Sequence, residues 1–491
     1  MHRLFFLTTL FLINFNLISQ SYIGFEGDNF NGVHGVLTNP GLIANAKTKL
    51  DINLFSVSEF TTNSYIELEY FNYMFKEYDD IDEIGYKIVG SDKFNYGVNN
   101  LDILGPSFQV NIDEKQSIAF TSRIRSITNV NNISGQIIDF FRTERLSQTE
   151  AFLENDVNAS IIHNNWIEIG GTYSRVLSTS KIHYLKGGIS LKYLMGYGSA
   201  TAKIDNALLI YNRDNLTVSS TGAANYNYSA NADLNQNHIP FEDDDDYEIK
   251  KAASGLGLDI GVVYEYRPNY RANISRTNPK DQVVIREKVN YKFKAGVSIM
   301  DLGAMTYKNS LDSSLDLNQT VNAEDLLSIS NEEDLQSLYG FTAQLLNQKI
   351  LLPTTVRTQF DWKHNDKIYF NFNTIISLYG KNNVRANRYT NQFTLTPRYE
   401  TKWFTAFSPI SITQFSGVQW GLGARLGPLF IGSSGAISHI LIDRQTRAFD
   451  LYAGLKIPFY YNDAKVKCKE CLDEDDPSLD ERLKGYEGII E

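Results

Sequence analysis

The residues able to do chemistry in this chain are its histidines, an acidic run, a cysteine pair and a set of charges placed at every second position. His2, His34, His163, His183, His238, His364 and His439 are scattered, and none sits in an HExxH or comparable ligand pair. There is no GxSxG elbow and no phosphate-cradling glycine loop. A barrel-type lipase would need a serine and a histidine meeting on the lipid-facing rim, and no spacing singles out such a pair. Glu242-Asp243-Asp244-Asp245-Asp246 reads as a solvated loop or a calcium site, but EF-hand spacing and its glycine are missing. Cys468 and Cys471 form a lone CxxC without the second pair or nearby histidine that zinc requires. No catalytic residue, metal site or cofactor is therefore expected, and the chain is not read as an enzyme.

The spaced charges say more. Arg123, Lys192, Asp259, Glu265, Lys292, Lys294, Arg398, Asp450 and Lys456 each interrupt an apolar alternation. A period of two with one greasy and one polar face is what a strand shows between lipid and water. Both signs occur, so the expected chemistry is salt-bridged filling of a narrow bore. A ladder guiding an anionic headgroup is the other reading, and it requires Lys292, Lys294 and Lys456 to be unpaired and to face an open passage.

The elements that would position these charges are strands. In 449–459, Phe449, Leu451, Ala453, Leu455, Ile457 and Phe459 share a face opposite Asp450, Tyr452, Gly454 and Lys456. Alternation marks further strands at 49–73, 101–112, 116–128, 165–177, 182–198, 256–267, 288–300, 353–363, 368–379, 389–399, 403–413, 417–425 and 428–435. Fourteen is an even number, as a single-chain bacterial barrel requires. Short turns at Asp113, Thr179, Asn365, Thr401 and Gly427 fall on one side. Insertions 74–100, 129–164, 199–255 and 303–352 fall on the other, and only 268–287 is long for an inner connection. A soluble sandwich has no reason to sort its loops in this way. Helical spacing in 136–154 and 323–348 predicts helices over the outer mouth. The predicted fold is an all-β, antiparallel transmembrane barrel of about fourteen strands, with a short N-terminal plug and helical insertions in its outer loops.

Composition agrees with this class. Aromatic residues make up 13%, with 29 Tyr and 29 Phe, as interfacial girdles demand, and Trp166, Trp362 and Trp403 lie near strand ends, as interfacial anchors would. The formal charge of −11 argues against nucleic acid as a partner. Met1-His2-Arg3, an apolar run from Leu4 to Phe15 and Ser19-Gln20-Ser21 read as a secretory leader, and nothing later is apolar for long enough to span as a helix. The division that follows is a leader at 1–21, a plug or periplasmic element at 22–48, the barrel at 49–459 and an acidic periplasmic tail at 460–491. The tail holds ten acidic and five basic side chains.

Asn39-Pro40-Gly41 pairs an N-cap residue with a proline suited to the first helical position. It forms either a turn into the first strand or a short plug, and the plug is the reading taken. Thr38-Asn39-Pro40-Gly41-Leu42-Ile43-Ala44 followed by Lys49-Leu50-Asp51-Ile52-Asn53-Leu54 resembles the N-terminal element of a Bacteroidetes-type family of outer-membrane β-barrels of unknown function. Gly427-Pro428-Leu429-Phe430-Ile431-Gly432 and Gly454-Leu455-Lys456-Ile457-Pro458-Phe459 resemble its ending. More distantly, the chain is similar to the long-chain fatty-acid transporters and to the barrel that shuttles cargo in type IX secretion, with Gly41 standing where an alanine is usual. Tyr452, Gly454, Ile457 and Phe459 resemble the closing-strand signal read by the barrel assembly machinery. These resemblances imply an outer-membrane location and lipid contact. They also imply one of two functions: passive transport of a hydrophobic or amphiphilic ligand through a plugged barrel, or an adaptor role beside an envelope or secretion partner.

Overall fold

The computed structural model describes residues 22–68, 86–142, 146, 149–180, 182–230, 250–268, 274–278, 281–284, 288–329, 332–381, 383–440, 445–461 and 464–467. Residues 1–21, read as a leader, the acidic run at 242–246 and the cysteines at 468 and 471 lie outside them.

Fourteen antiparallel strands close into a barrel. They are β1 (Leu50–Asn63), β2 (Phe94–Leu104, resumed at Ser107–Asn111), β3 (Gln116–Ser134), β4 (Phe152–Thr179), β5 (His183–Asn212), β6 (Ala253–Tyr266) and β7 (Phe293–Asp316). β8 (Thr355–Lys363), β9 (Ile368–Ser377), β10 (Gln392–Glu400) and β11 (Phe404–Phe407 and Ile410–Thr413) follow. β12 (Gly417–Trp420 and Leu422–Leu426), β13 (Leu429–Ser433) and β14 (Ala448–Phe459) complete the wall. Closure is direct: Leu50 pairs with Phe459, Ile52 with Ile457 and, past a bulge, Phe55 with Leu455. Without that pairing, two strand edges would lie unsatisfied in hydrocarbon.

Alternation is what separates skin from bore. Along β7, Val297 and Ile299 are exposed while Lys294, Ser298 and Met300 are buried. Along β8, Phe360 and Trp362 face out, whereas Gln359 and Asp361 face in. The inner turns carry their own chemistry. Asp113 accepts the N–H groups of Lys115 and Gln116, and Asn365 accepts those of Lys367 and Ile368. Gly427 turns with a φ of +57°, open to glycine at no steric cost.

The outer side departs from the sequence reading. Strands β4, β5 and β7 run for 28, 30 and 24 residues. About ten tilted residues suffice to cross a bilayer, so more than half of each stands beyond it. Much of what reads as outer loop is thus a wall of strand, joined by Thr217–Tyr228 and Gly340–Leu351. The helices are shorter than the spacing predicts: Gly135–Arg142, Ala323–Ser328 and Glu332–Leu338. Their apolar faces pack over Val157, Ala207, Tyr211, Leu315 and Tyr339, a small core outside the bilayer. The long inner connection has a cause as well. Ile274–Asn278 and Asp281–Val284 form a hairpin whose second strand pairs with Ala464–Lys467. Among the described residues no helix is long and apolar enough to cross a membrane, which says nothing of strands.

Candidate functional site: the filled bore

Residues 22–46 enter the bore as three short 3-10 helices, Phe25–Gly27, Gly32–Leu37 and Pro40–Ile43. Asn39 Oδ1 accepts the Gly41 N–H at 2.9 Å, capping the last turn. Its Nδ2 donates to the carbonyls of Val262 at 3.1 Å and Val297 at 3.2 Å, tying the cap to the wall between β6 and β7. Small wall residues make this approach feasible. A Cβ on Gly261 would lie 2.1 Å from Asn39 Oδ1, and one on Gly188 would lie 2.4 Å from the Pro40 carbonyl oxygen.

The rest of the segment buries Glu26, Asp28, Asn31 and His34 together with an apolar and aromatic set. Tyr22, Phe25, Val33, Val36 and Leu37 pack on Leu104, Phe407, Phe430 and Tyr452. Phe25 stacks on Phe430 with centroids 4.2 Å apart, and Tyr452 donates its hydroxyl proton to the Ile23 carbonyl at 2.5 Å. Tyr452 therefore faces inward, while Ile457 and Phe459 face the lipid. A Cβ on Gly454 would meet the Phe430 ring and Ser56 Oγ.

Nearly all the charges read as inward are inward and paired. Lys192 joins Asp259 and Asp301, each at 2.7 Å. Arg123 bridges Asp102 and Glu168, and Arg125 reaches Asp301 at 2.9 Å. Glu265 is held by Lys186 at 2.6 Å and by Arg267. Arg398 grips Asp361 with both Nη atoms, at 2.6 and 2.8 Å, and its Nε reaches Glu400. Lys294 lies 3.9 Å from Asp361, and Asp450 accepts from the Ser434 backbone and hydroxyl. Lys456 pairs with Asp51 at 2.9 Å and also donates to the Phe30 carbonyl. Pairing of this kind is how charge is tolerated away from water.

Two placements correct the sequence reading. Lys292 is exposed, with its ammonium 5.6 Å from the centre of the Trp362 ring on the skin. The chain bends at Lys292, and Tyr291 turns inward to bond Asn29 and Asp361, which reverses the parity of the alternation there. Trp166, read as an interfacial anchor, is buried instead. It shares the inward face of β4 with Asn164 and Glu168, and there Arg125 lies over its ring and Glu168 accepts its indole N–H. Because Lys294 and Lys456 are both paired, the open cation ladder is not what the bore contains.

Sequence reasoning missed a second closure. The outer connection 378–391 dips into the bore, burying Asn387, Arg388 and Tyr389. Asn387 donates to the Ile127 carbonyl and accepts from Asn164, Arg388 donates to Asn131, and Tyr389 accepts from Arg125. β9 and β10 stand almost diametrically across the ring from β3 and β4, so this connection spans the bore. Its polar sequence carries no signal that separates it from a solvated loop.

The family of unknown function DUF5723 matches residues 40–434, from the Asn39-Pro40 cap to the start of the last outer connection. The chain belongs to the DUF5723 family. No curated protein matches its sequence. Among solved structures, this DUF5723 barrel is similar to the toluene transporter TbuX of Ralstonia pickettii, at 7% identity over 91% of this chain and 100% of that one, with a TM-score of 0.38. It is also similar to a FadL homologue of Pseudomonas aeruginosa, at 10% identity over 86% and 93%, with a TM-score of 0.34. The toluene transporter TodX of Pseudomonas putida aligns at 9% identity over 90% and 98%, with a TM-score of 0.32. Identities this low carry no information about cargo. What stands on the DUF5723 member's own geometry is an outer-membrane-type barrel whose bore holds its own N-terminal segment.

Proposed function

We propose that this barrel resides in the outer membrane and passes a hydrophobic or amphiphilic small molecule when the N-terminal segment shifts. The supporting observation is the Phe25–Phe430 stack. Beside the ion pairs, and separate from a second apolar cluster around Trp166, Leu194 and Tyr307, the segment's aromatic side chains cover an apolar strip formed by Leu104, Phe407, Phe430 and Tyr452. Displacing the segment bares that strip, and an apolar molecule can take the place of Phe25 at little cost in solvation. The segment is suited to moving, because three short 3-10 helices joined by irregular backbone hold no regular ladder with the wall.

The experiment is uptake of a radiolabelled long-chain fatty acid and of a monoaromatic hydrocarbon by lipopolysaccharide-coated cells, with and without the protein. Faster uptake that a cross-link between residues 25 and 430 abolishes supports transport. Equal rates with and without the protein end the reading. A second reading, an adaptor that transports nothing, draws on a different observation: the strand wall standing above one side of the barrel.

A further inference from the structure

The upper parts of β4, β5 and β7, with Thr217–Tyr228 and Gly340–Leu351, make a five-stranded half-collar outside the bilayer. Tyr211 pairs with both Phe152 and Val218, Tyr228 with Leu311, and Leu315 with Phe341. At Gly340–Leu351 the collar stops. This strand pairs with β7 along one side. On its other side, among the described residues, only Leu351 is engaged, donating its N–H to Arg385 and bridging Ala386. The next wall strand, β9, ends at Ser377, opposite Thr355, so it does not reach the collar.

Gly340 to Leu345 are exposed on both faces. Leu315 is buried in the collar's core, yet Phe341, its direct partner across the pair, is 45% exposed. Leu345, opposite Leu311, is 68% exposed. The apolar face thus runs off the end of the sheet uncovered. Exposed edges are usually blunted by lysine, proline or a bulge, and Phe341 to Gln348 contain no charge and no proline.

The upper part of this neighbourhood has one sign, with exposed Lys349 lying lower on the strand. From Leu311 to Leu346 there is no Lys, Arg or His, while Asp312, Asp316, Glu324, Asp325, Glu332, Glu333 and Asp334 are all acidic. Glu332 is taken up by Tyr226, Tyr228 and Gln336; Asp312 and Asp316 lie on β7 directly opposite Gln344 and Gly340, and Glu333 sits in the helix that leads into the bare strand. We propose that Gly340–Leu351 is a docking edge for an extended segment of a partner protein outside the cell. That segment alternates apolar and polar residues and carries Lys or Arg at its ends. Main-chain hydrogen bonds supply the affinity, Phe341 and Leu345 receive the alternate side chains, and the carboxylates favour a cationic partner. The proposal stands apart from transport, since the edge lies outside the bore.

The test uses the full chain in detergent and a short fluorescein-labelled peptide of alternating Val and Thr with Lys at both ends, read by fluorescence anisotropy. Saturable binding is expected. It weakens at least tenfold with Leu345→Lys, with N-methylation of alternate peptide amides, and with Glu in place of the terminal lysines. If Leu345→Lys does not fold, Thr342→Lys on the other face gives the same readout. The proposal is overturned if the peptide does not bind, or if N-methylation leaves binding unchanged. It is also overturned if deleting residues 231–249 strengthens binding, because the chain's own loop would then be the occupant. A detergent-stable dimer that Leu345→Lys dissolves would assign the edge to a second copy, with the same consequence.

Discussion

Asp28 and Arg425 are 397 positions apart in sequence, yet the Asp28 carboxylate accepts from Arg425 Nε at 2.7 Å with neither side chain exposed to solvent. Asp28 belongs to the N-terminal segment and Arg425 to β12. This ion pair, with Lys456 donating to the Phe30 carbonyl, joins the segment to the wall electrostatically rather than through a backbone ladder.

Asp28→Ala leaves the Arg425 guanidinium buried without its carboxylate, a change that costs about 3–5 kcal/mol. The loss falls on seating of the segment, because the wall keeps its own strand pairing. Limited proteolysis is expected to cleave between residues 22 and 46 at least tenfold faster, while the heat-modifiable gel shift of the folded barrel persists. Loss of the folded band would show instead that the barrel cannot stand without the segment.

Ser298 and Val297 report the same event from opposite faces of β7. Ser298 is buried and donates to the Thr38 carbonyl at 2.7 Å, whereas Val297 faces the lipid. With Cys468 and Cys471 replaced by serine, Ser298→Cys should resist a membrane-impermeant maleimide, and adding Asp28→Ala should make it reactive. Val297→Cys should stay inert in both backgrounds. Equal labelling of the two positions would contradict the alternation that defines the wall.

Gly261→Val tests the close approach at Asn39. The first added carbon would sit 2.1 Å from Asn39 Oδ1, and relief by overpacking costs typically 1–3 kcal/mol. The Asn39–Pro40 cap is expected to lift from the wall, seen as faster amide exchange at Gly41, while Leu256→Val on the outer skin leaves that exchange unchanged.

His439 lies in the short outer helix Ala436–Ile440, and burial holds its imidazole down at about 4. The folded form therefore keeps it neutral while the unfolded chain protonates near 6.5. The unfolded state binds more protons between these values, so the local stability it contributes is present above pH 6.5 and is lost as pH falls towards 4. Ser438 accepts from the Trp420 N–H, which makes Trp420 fluorescence a reporter of this helix. A transition within that window, absent in His439→Gln, is expected. A transition that survives the substitution would trace the effect to another group.

Strand alternation is a local property, so residues two apart already say which face meets lipid. That is why all fourteen strands, the sorting of short and long connections, and the inward set Asp259, Glu265, Lys294, Arg398 and Lys456 could be read from the chain alone. The reading failed at Lys292, where a bend resets parity, and at Trp166, placed at the interface by its nearness to a strand end although it shares the inward face of Glu168. It also failed where periodicity has no bearing. Nothing local in Asp51, Asp102, Glu168, Asp301 or Asp361 names the cation each will meet, because an ion pair across a bore depends on curvature and register summed over many strands. The dip of 378–391 into the bore, the stack of Phe25 on Phe430 and the bare edge at Gly340–Leu351 belong to the same class. Each is a contact, or a missing one, between segments that only closure of the sheet brings to the same height.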